Sequence, residues 1–166
     1  MSVRGHARFT EDVDFAVVVE DDAAFEALAF QLRGLGYQMR GVVEQVKAAR
    51  LATLRLTTPK GIALDLLGAS CGIETEIVER AELIETGRFG ALPVACVAEL
   101  LAMKVLSMSE KRGQDRIDAV SLVQVTEDLD LARLRANLAL IAERGFSRGQ
   151  DLMAKLEAVL AAVRDE

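Results

Sequence analysis

The sequence predicts an α/β (α+β) fold: a mixed sheet followed by a C-terminal layer of about four helices. Three observations carry this. Strand-like and helix-like segments alternate up to about residue 95, and from Val97 the apolar residues recur at helical spacing to the end. The chain has 166 residues of which 51% are apolar, enough for one sizeable core and too few for two full ones. Residues 1–95 are therefore expected to form the sheet core and 96–166 the helical layer, both within the same compact domain.

Each element has its own signature. Asp12 to Glu20 is β-branched and apolar on both faces, which suits a central strand. Asp21 and Asp22 offer an N-cap and a negative first turn to a helix carrying Phe25, Leu28, Ala29 and Leu32, and Gly34 and Gly36 stop it. Tyr37 to Val43 returns as a strand. Leu51 to Thr57 alternates, with Leu51, Thr53, Arg55 and Thr57 on one face and Ala52, Leu54 and Leu56 on the other. Pro59-Lys60-Gly61 then makes a turn, so Leu51 to Leu67 reads as a hairpin. Ile73 to Ile84 is expected to be a short helix, and four helices follow at about 97–109, 114–124, 130–144 and 149–164. The stripes Leu131, Leu134, Leu138, Ile141 and Leu152, Leu156, Val159, Leu160 read as core.

Composition excludes several functions. Lys and Arg number 20 against 26 Asp and Glu, a net charge of −6, so the domain as a whole lacks the basic surface of a non-specific nucleic-acid binder. The apolar runs Phe15–Val19 and Ile62–Leu67 are far short of a membrane span, and charged residues stand where a signal peptide would be apolar. Cys71 and Cys96 have neither Cys-x-x-Cys spacing nor a second histidine beside His6, which argues against zinc and for reduced thiols in a cytoplasm. Gly34-Leu35-Gly36 follows a helix and lacks a third glycine, so it is a helix stop rather than a dinucleotide loop.

What remains is carboxylates and one lysine. Asp12 and Asp14 are i and i+2 on a strand and so share a face. At the mouth of a buried strand two like charges repel and lose hydration, a conflict that Mg²⁺ relieves with hard oxygen ligands; the alternative is a solvated acidic strand end. Asp65 interrupts the apolar strand Ile62–Leu67, where an unpaired charge is costly. If that strand neighbours the first, the three carboxylates converge as in a metal-dependent phosphoryl-transfer site; otherwise Asp65 pairs with Arg55 across the hairpin. Lys104 sits within the core stripe Val97, Leu100, Leu101, Val105, Met108, either snorkelling out or meeting Asp115 and Asp118 on the next helix.

These residues have a counterpart. Arg8-Phe9-Thr10-Glu11-Asp12-Val13-Asp14-Phe15 resembles the Arg-x-Thr-x-Asp-x-Asp segment of bacterial nucleotidyltransferases related to the abortive-infection (AbiEii-type) toxins, in the DNA polymerase β-like superfamily. Ile62–Leu67 is similar to their third-carboxylate strand. Leu92-Pro93-Val94 through Lys104, followed by Asp115-Arg116-Ile117-Asp118, resembles their lysine helix and Asp-x-x-Asp helix. The resemblance implies Mg²⁺ (or Mn²⁺) held by Asp12, Asp14 and Asp65, with Asp65, Lys104 and Asp115 in catalysis. It further implies Arg8, Thr10, Lys104 and Asp118 at the nucleotide. The implied reaction moves an NMP from an NTP to an acceptor hydroxyl on RNA, a protein or a small molecule, in the cytoplasm. The family carries a Gly-Gly or Gly-Ser turn upstream of its Asp-x-Asp strand, and only 11 residues precede Asp12 here. Weak nucleotide binding is expected for this reason, with a homodimer or a partner chain completing the site. A catalytically degenerate binding or regulatory module of toxin–antitoxin type is the alternative.

Overall fold

The computed structural model describes residues 12–87, 90–109 and 113–164. Its elements run β1 (Asp12–Ala16), α1 (Asp22–Gly34), β2 (Gln38–Gln45), β3 (Arg50–Thr57), β4 (Ala63–Leu67), α2 (Glu74–Glu79), β5 (Glu82–Glu85) and β6 (Ala91–Val94). Four helices follow: α3 (Val97–Ser107), α4 (Gly113–Gln124), α5 (Leu131–Glu143) and α6 (Leu152–Arg164). The fold is thus mixed α/β, as the sequence predicts.

The main sheet has the order β1-β4-β3-β2, with β1 parallel to β4 and the other neighbours antiparallel. Helix α1 begins where expected, its N-cap Asp21 accepting a hydrogen bond from the Ala24 amide at 2.8 Å. The α1 residues Phe25 and Ala29 pack on Leu54, Leu56, Leu64 and Leu66, so the hairpin's alternation puts its apolar face under this helix. Gly61, at φ +81°, closes the β3–β4 turn together with a Thr58 amide bond to the Ile62 carbonyl at 2.8 Å.

Two expectations need correction. The segment read as a central strand over Asp12–Glu20 is a strand only to Ala16, and among the described residues β1 lies at the end of the sheet. Val17 and Val19 owe their apolar character to packing beside the α1 core, while Val13 and Phe15 stay about half exposed. The segment Ile73–Ile84 is not one helix. Helix α2 stops at Glu79, and Glu82–Glu85 is a strand paired antiparallel with Ala91–Val94. Its partner stands beyond a turn that includes Gly87 and Gly90, both at positive φ, so the strand depends on a contact that local periodicity does not encode.

The second core is helical. Leu101 and Val105 of α3, Ala119 of α4, Leu134, Leu138 and Ile141 of α5, and Leu152, Leu156 and Val159 of α6 are all buried in it. Ala16 of β1 packs against the same cluster. The sheet therefore has α1 on one face, while at β1 its other face turns toward the helical layer.

Candidate functional site

Parallel pairing of β1 with β4 fixes the acidic face. Asp14 stands opposite Asp65 in the ladder, so both side chains lie on one face, on backbones about 4.8 Å apart. Ala16, two residues after Asp14, shares that face and meets the helical core. Asp12 begins β1 opposite Ala63, and its side chain lies outside the described residues, as do Arg8 and Thr10 entirely. Among the described residues no group of three His, Cys, Asp or Glu side chains is disposed to hold a metal ion.

Asp65 has a second neighbour. Arg55 lies opposite it in the antiparallel β3–β4 ladder, and the Arg55 Nε is 3.5 Å from the Asp65 Oδ2. The hairpin pairing and the proximity to Asp14 therefore occur together; the strand neighbours on its two sides supply one each.

Lys104 points at the next helix. Its Nζ lies 3.0 Å from Asp115 Oδ1 and 3.0 Å from Asp118 Oδ2. The three side chains are 22%, 14% and 6% exposed, so the cluster is largely withdrawn from water. Burial alone pulls the ammonium's pKa down, but the two hydrogen bonds and the two negative charges outweigh it, and the pKa is raised above that of an ordinary lysine. Gln114 Nε2 donates to Asp118 Oδ1 at 2.9 Å and fixes that carboxylate from the preceding turn.

Glu99, on α3, escapes sequence reasoning. It is wholly buried, and its Oε1 accepts from Asn137 Nδ2 at 3.1 Å and from Arg80 Nη1 at 3.5 Å, with Arg133 Nε 3.9 Å away. Helix α3 is buried nearly all round, at Ala98, Glu99, Leu101, Ala102, Val105 and Leu106, so the apolar stripe marks only part of its covered surface. Glu74 is a second buried acid missed by sequence reasoning. It accepts from the Ser70, Cys71 and Gly72 amides at 2.6, 2.8 and 2.9 Å, tying down the loop after β4. The desolvated Cys71 thiol beside this carboxylate has a strongly raised pKa, which makes it inert at neutral pH.

The mixed sheet, the Asp14–Asp65 pair on adjacent parallel strands, the lysine helix and the acidic helix stand in the order in which the sequence resembles the nucleotidyltransferase class. Comparison with known families agrees with the class and narrows it. The chain belongs to the family described as nucleotidyl transferase AbiEii toxin, Type IV TA system, whose sequence model matches residues 1–166. No curated protein matches it.

Proposed function

We propose that the chain is a metal-dependent nucleotidyltransferase that moves an NMP from an NTP to an acceptor hydroxyl, acting as the toxin of a toxin–antitoxin pair. The observation that supports this most directly is the in-register placement of Asp14 beside Asp65 on the face turned toward the helical layer. Like charges directly opposite on adjacent strands repel, and a bound cation would relieve that repulsion. The donor set is all carboxylate oxygen, which fits Mg²⁺ or Mn²⁺ rather than a softer metal. Asp14 and Asp65, with Asp12 as the third, would hold it. Once bound, the metal supplies charge neutralisation at the triphosphate and the transferring phosphorus.

The chain's own residues would do the rest. Asp65 orients the acceptor hydroxyl and takes its proton as the acceptor oxygen bonds to the α-phosphorus. The bond to the β-phosphate oxygen breaks, and pyrophosphate leaves with that electron pair. Lys104 donates a hydrogen bond to Asp115, forms an ion pair with Asp118, and keeps an N–H for a triphosphate oxygen. Held from two sides, the ammonium is positioned before substrate arrives. The cytoplasm, where NTPs and Mg²⁺ abound, is the compartment that suits this chemistry, and an antitoxin chain is the partner that the family's description supports.

Titration calorimetry of ATP and GTP, with and without Mg²⁺, tests the reading on the wild type and on Asp14→Asn. Metal-dependent binding that the substitution weakens tenfold or more is the expected result, at roughly 1.4 kcal/mol for each factor of ten. Nucleotide binding indifferent to both metal and Asp14 would overturn it, and α-labelled NTP would then identify no acceptor.

A further inference from the structure

The sheet face that carries Asp65 extends away from β1 into a basic surface that the proposed reaction leaves unused. Asp14, Asp65, Arg55 and Gly41 form one register row across β1, β4, β3 and β2. At its far end the ladder pairs Met39 with Leu56 and Gly41 with Arg55, so Arg40 is an extra residue, a bulge. Bulges re-aim side chains, and here Arg40 lines an open depression of about 380 Å³ with Arg55, Leu56, Ala63 and Asp65. Gly41, opposite Arg55 in the ladder, adds no side chain to this face, and a Cβ there would meet nothing within 4 Å.

The donors point to an anion. Arg55 uses its Nε edge toward Asp65 and is 55% exposed, which leaves its two Nη groups to serve a ligand. Arg40 is exposed and makes no ion pair among the described residues. Two guanidinium groups flanking an open depression match the fork geometry by which arginine grips phosphate oxygens. Asp65 at the rim disfavours an anion lying directly over it, so the ligand's charge belongs on the Arg40 side.

We propose that Arg40 and Arg55 form a phosphate-binding site next to Asp65, and that Arg55 also positions the Asp65 carboxylate. The site takes a phosphate group either of the donor nucleotide or of the acceptor; its use in nucleotidyl transfer rests on the function proposed above, whereas the binding itself does not.

The test is an amide ¹H–¹⁵N titration of the full chain with inorganic phosphate at constant ionic strength. Shifts centred on residues 40–41, 55 and 63–65 are expected, and Arg40→Gln should raise the dissociation constant about tenfold through loss of charge-assisted hydrogen bonds. Arg40→Lys, which keeps the charge and loses the fork, should fall between. Adding Mg·ATP separates the two sources: displacement of phosphate assigns the site to the donor, and simultaneous binding assigns it to the acceptor. If Mg·ATP fails to bind while phosphate still does, the transfer reading fails and this site stands. Shifts scattered elsewhere, or an affinity untouched by Arg40→Gln, overturn the proposal.

Discussion

Replacing Lys104 by Met keeps the apolar stem and removes the charge between Asp115 and Asp118. A charge-assisted hydrogen bond to Asp115 and an ion pair with Asp118, both at 3.0 Å, disappear, each contributing about 1.5–3 kcal/mol. Part of this is returned, because the ammonium no longer has to be desolvated and the two carboxylates can share a proton. A net loss of about 2–4 kcal/mol remains, within the range for removing one partner of a buried pair. Urea unfolding followed by circular dichroism at neutral pH measures it as a lower midpoint with an unchanged slope. The pH dependence gives an independent check. The folded-state pKa of Lys104 is raised, so the native chain holds this proton more tightly and the stabilisation is complete below the unfolded value of about 10.4. It is lost as pH rises through the higher folded value, so the wild-type and Lys104→Met curves should run apart at pH 7–9 and converge above about 10.4. A variant within about 0.5 kcal/mol of the wild type at pH 7 would refute the argument and return Lys104 to the solvated surface.

Two further predictions concern the loop after β4. Gly72→Ala should destabilise by about 2–3 kcal/mol, because the position has φ +79° and a Cβ would stand 2.5 Å from the Phe146 ring; thermal melting of this variant beside Gly72→Ala/Phe146→Leu tests whether the ring is the obstacle. Arg144 hydrogen-bonds both oxygens of Glu76 and also donates to the Gly72 carbonyl, and Arg144→Ala should cost about 1 kcal/mol once solvent screening is counted. The hydrogen bonds from Arg144 hold the Glu76 pKa below its ordinary value despite partial burial, so this stabilisation is present above the unfolded value of about 4.3 and vanishes as pH falls through the folded one. Acid titrations of unfolding should therefore show the two proteins converging below about pH 4; a constant gap at all pH values would rule this out.

How legible the fold was depended on what covers each segment. Helix α1 was readable because Asp21 caps it, Gly36 follows its end at positive φ, and its buried residues Phe25 and Ala29 lie one turn apart. The β3–β4 hairpin was readable because its alternation matches a sheet with one face under α1. Strand β5 was not, since four residues with one half-buried side chain carry no periodic signal and depend on β6 for pairing. The run Phe15–Val19 misleads for the opposite reason: its apolar character serves two different partners, the helical core through Ala16 and the α1 core through Val17 and Val19.

The same reasoning sorts the site. Lys104, Asp115 and Asp118 were legible because helical spacing places a charge in an apolar stripe one helix before two carboxylates, and a charge in that position needs a partner. Arg40 was not, because a bulge is a property of the ladder and leaves no mark on the strand that contains it. For Asp65 the sequence offers two competing partners, Arg55 and the β1 carboxylates, and its place between β3 and β1 gives it a neighbour on each side. Parallel pairing sets Asp14 directly beside Asp65, like charges on one sheet face, whereas Asp115 and Asp118 face an ammonium 3.0 Å from each. On the metal-dependent function proposed above, a cation should therefore favour the sheet face, with metal-induced shifts of the Asp14 and Asp65 amides larger than those of Asp115 and Asp118; the reverse order would refute it.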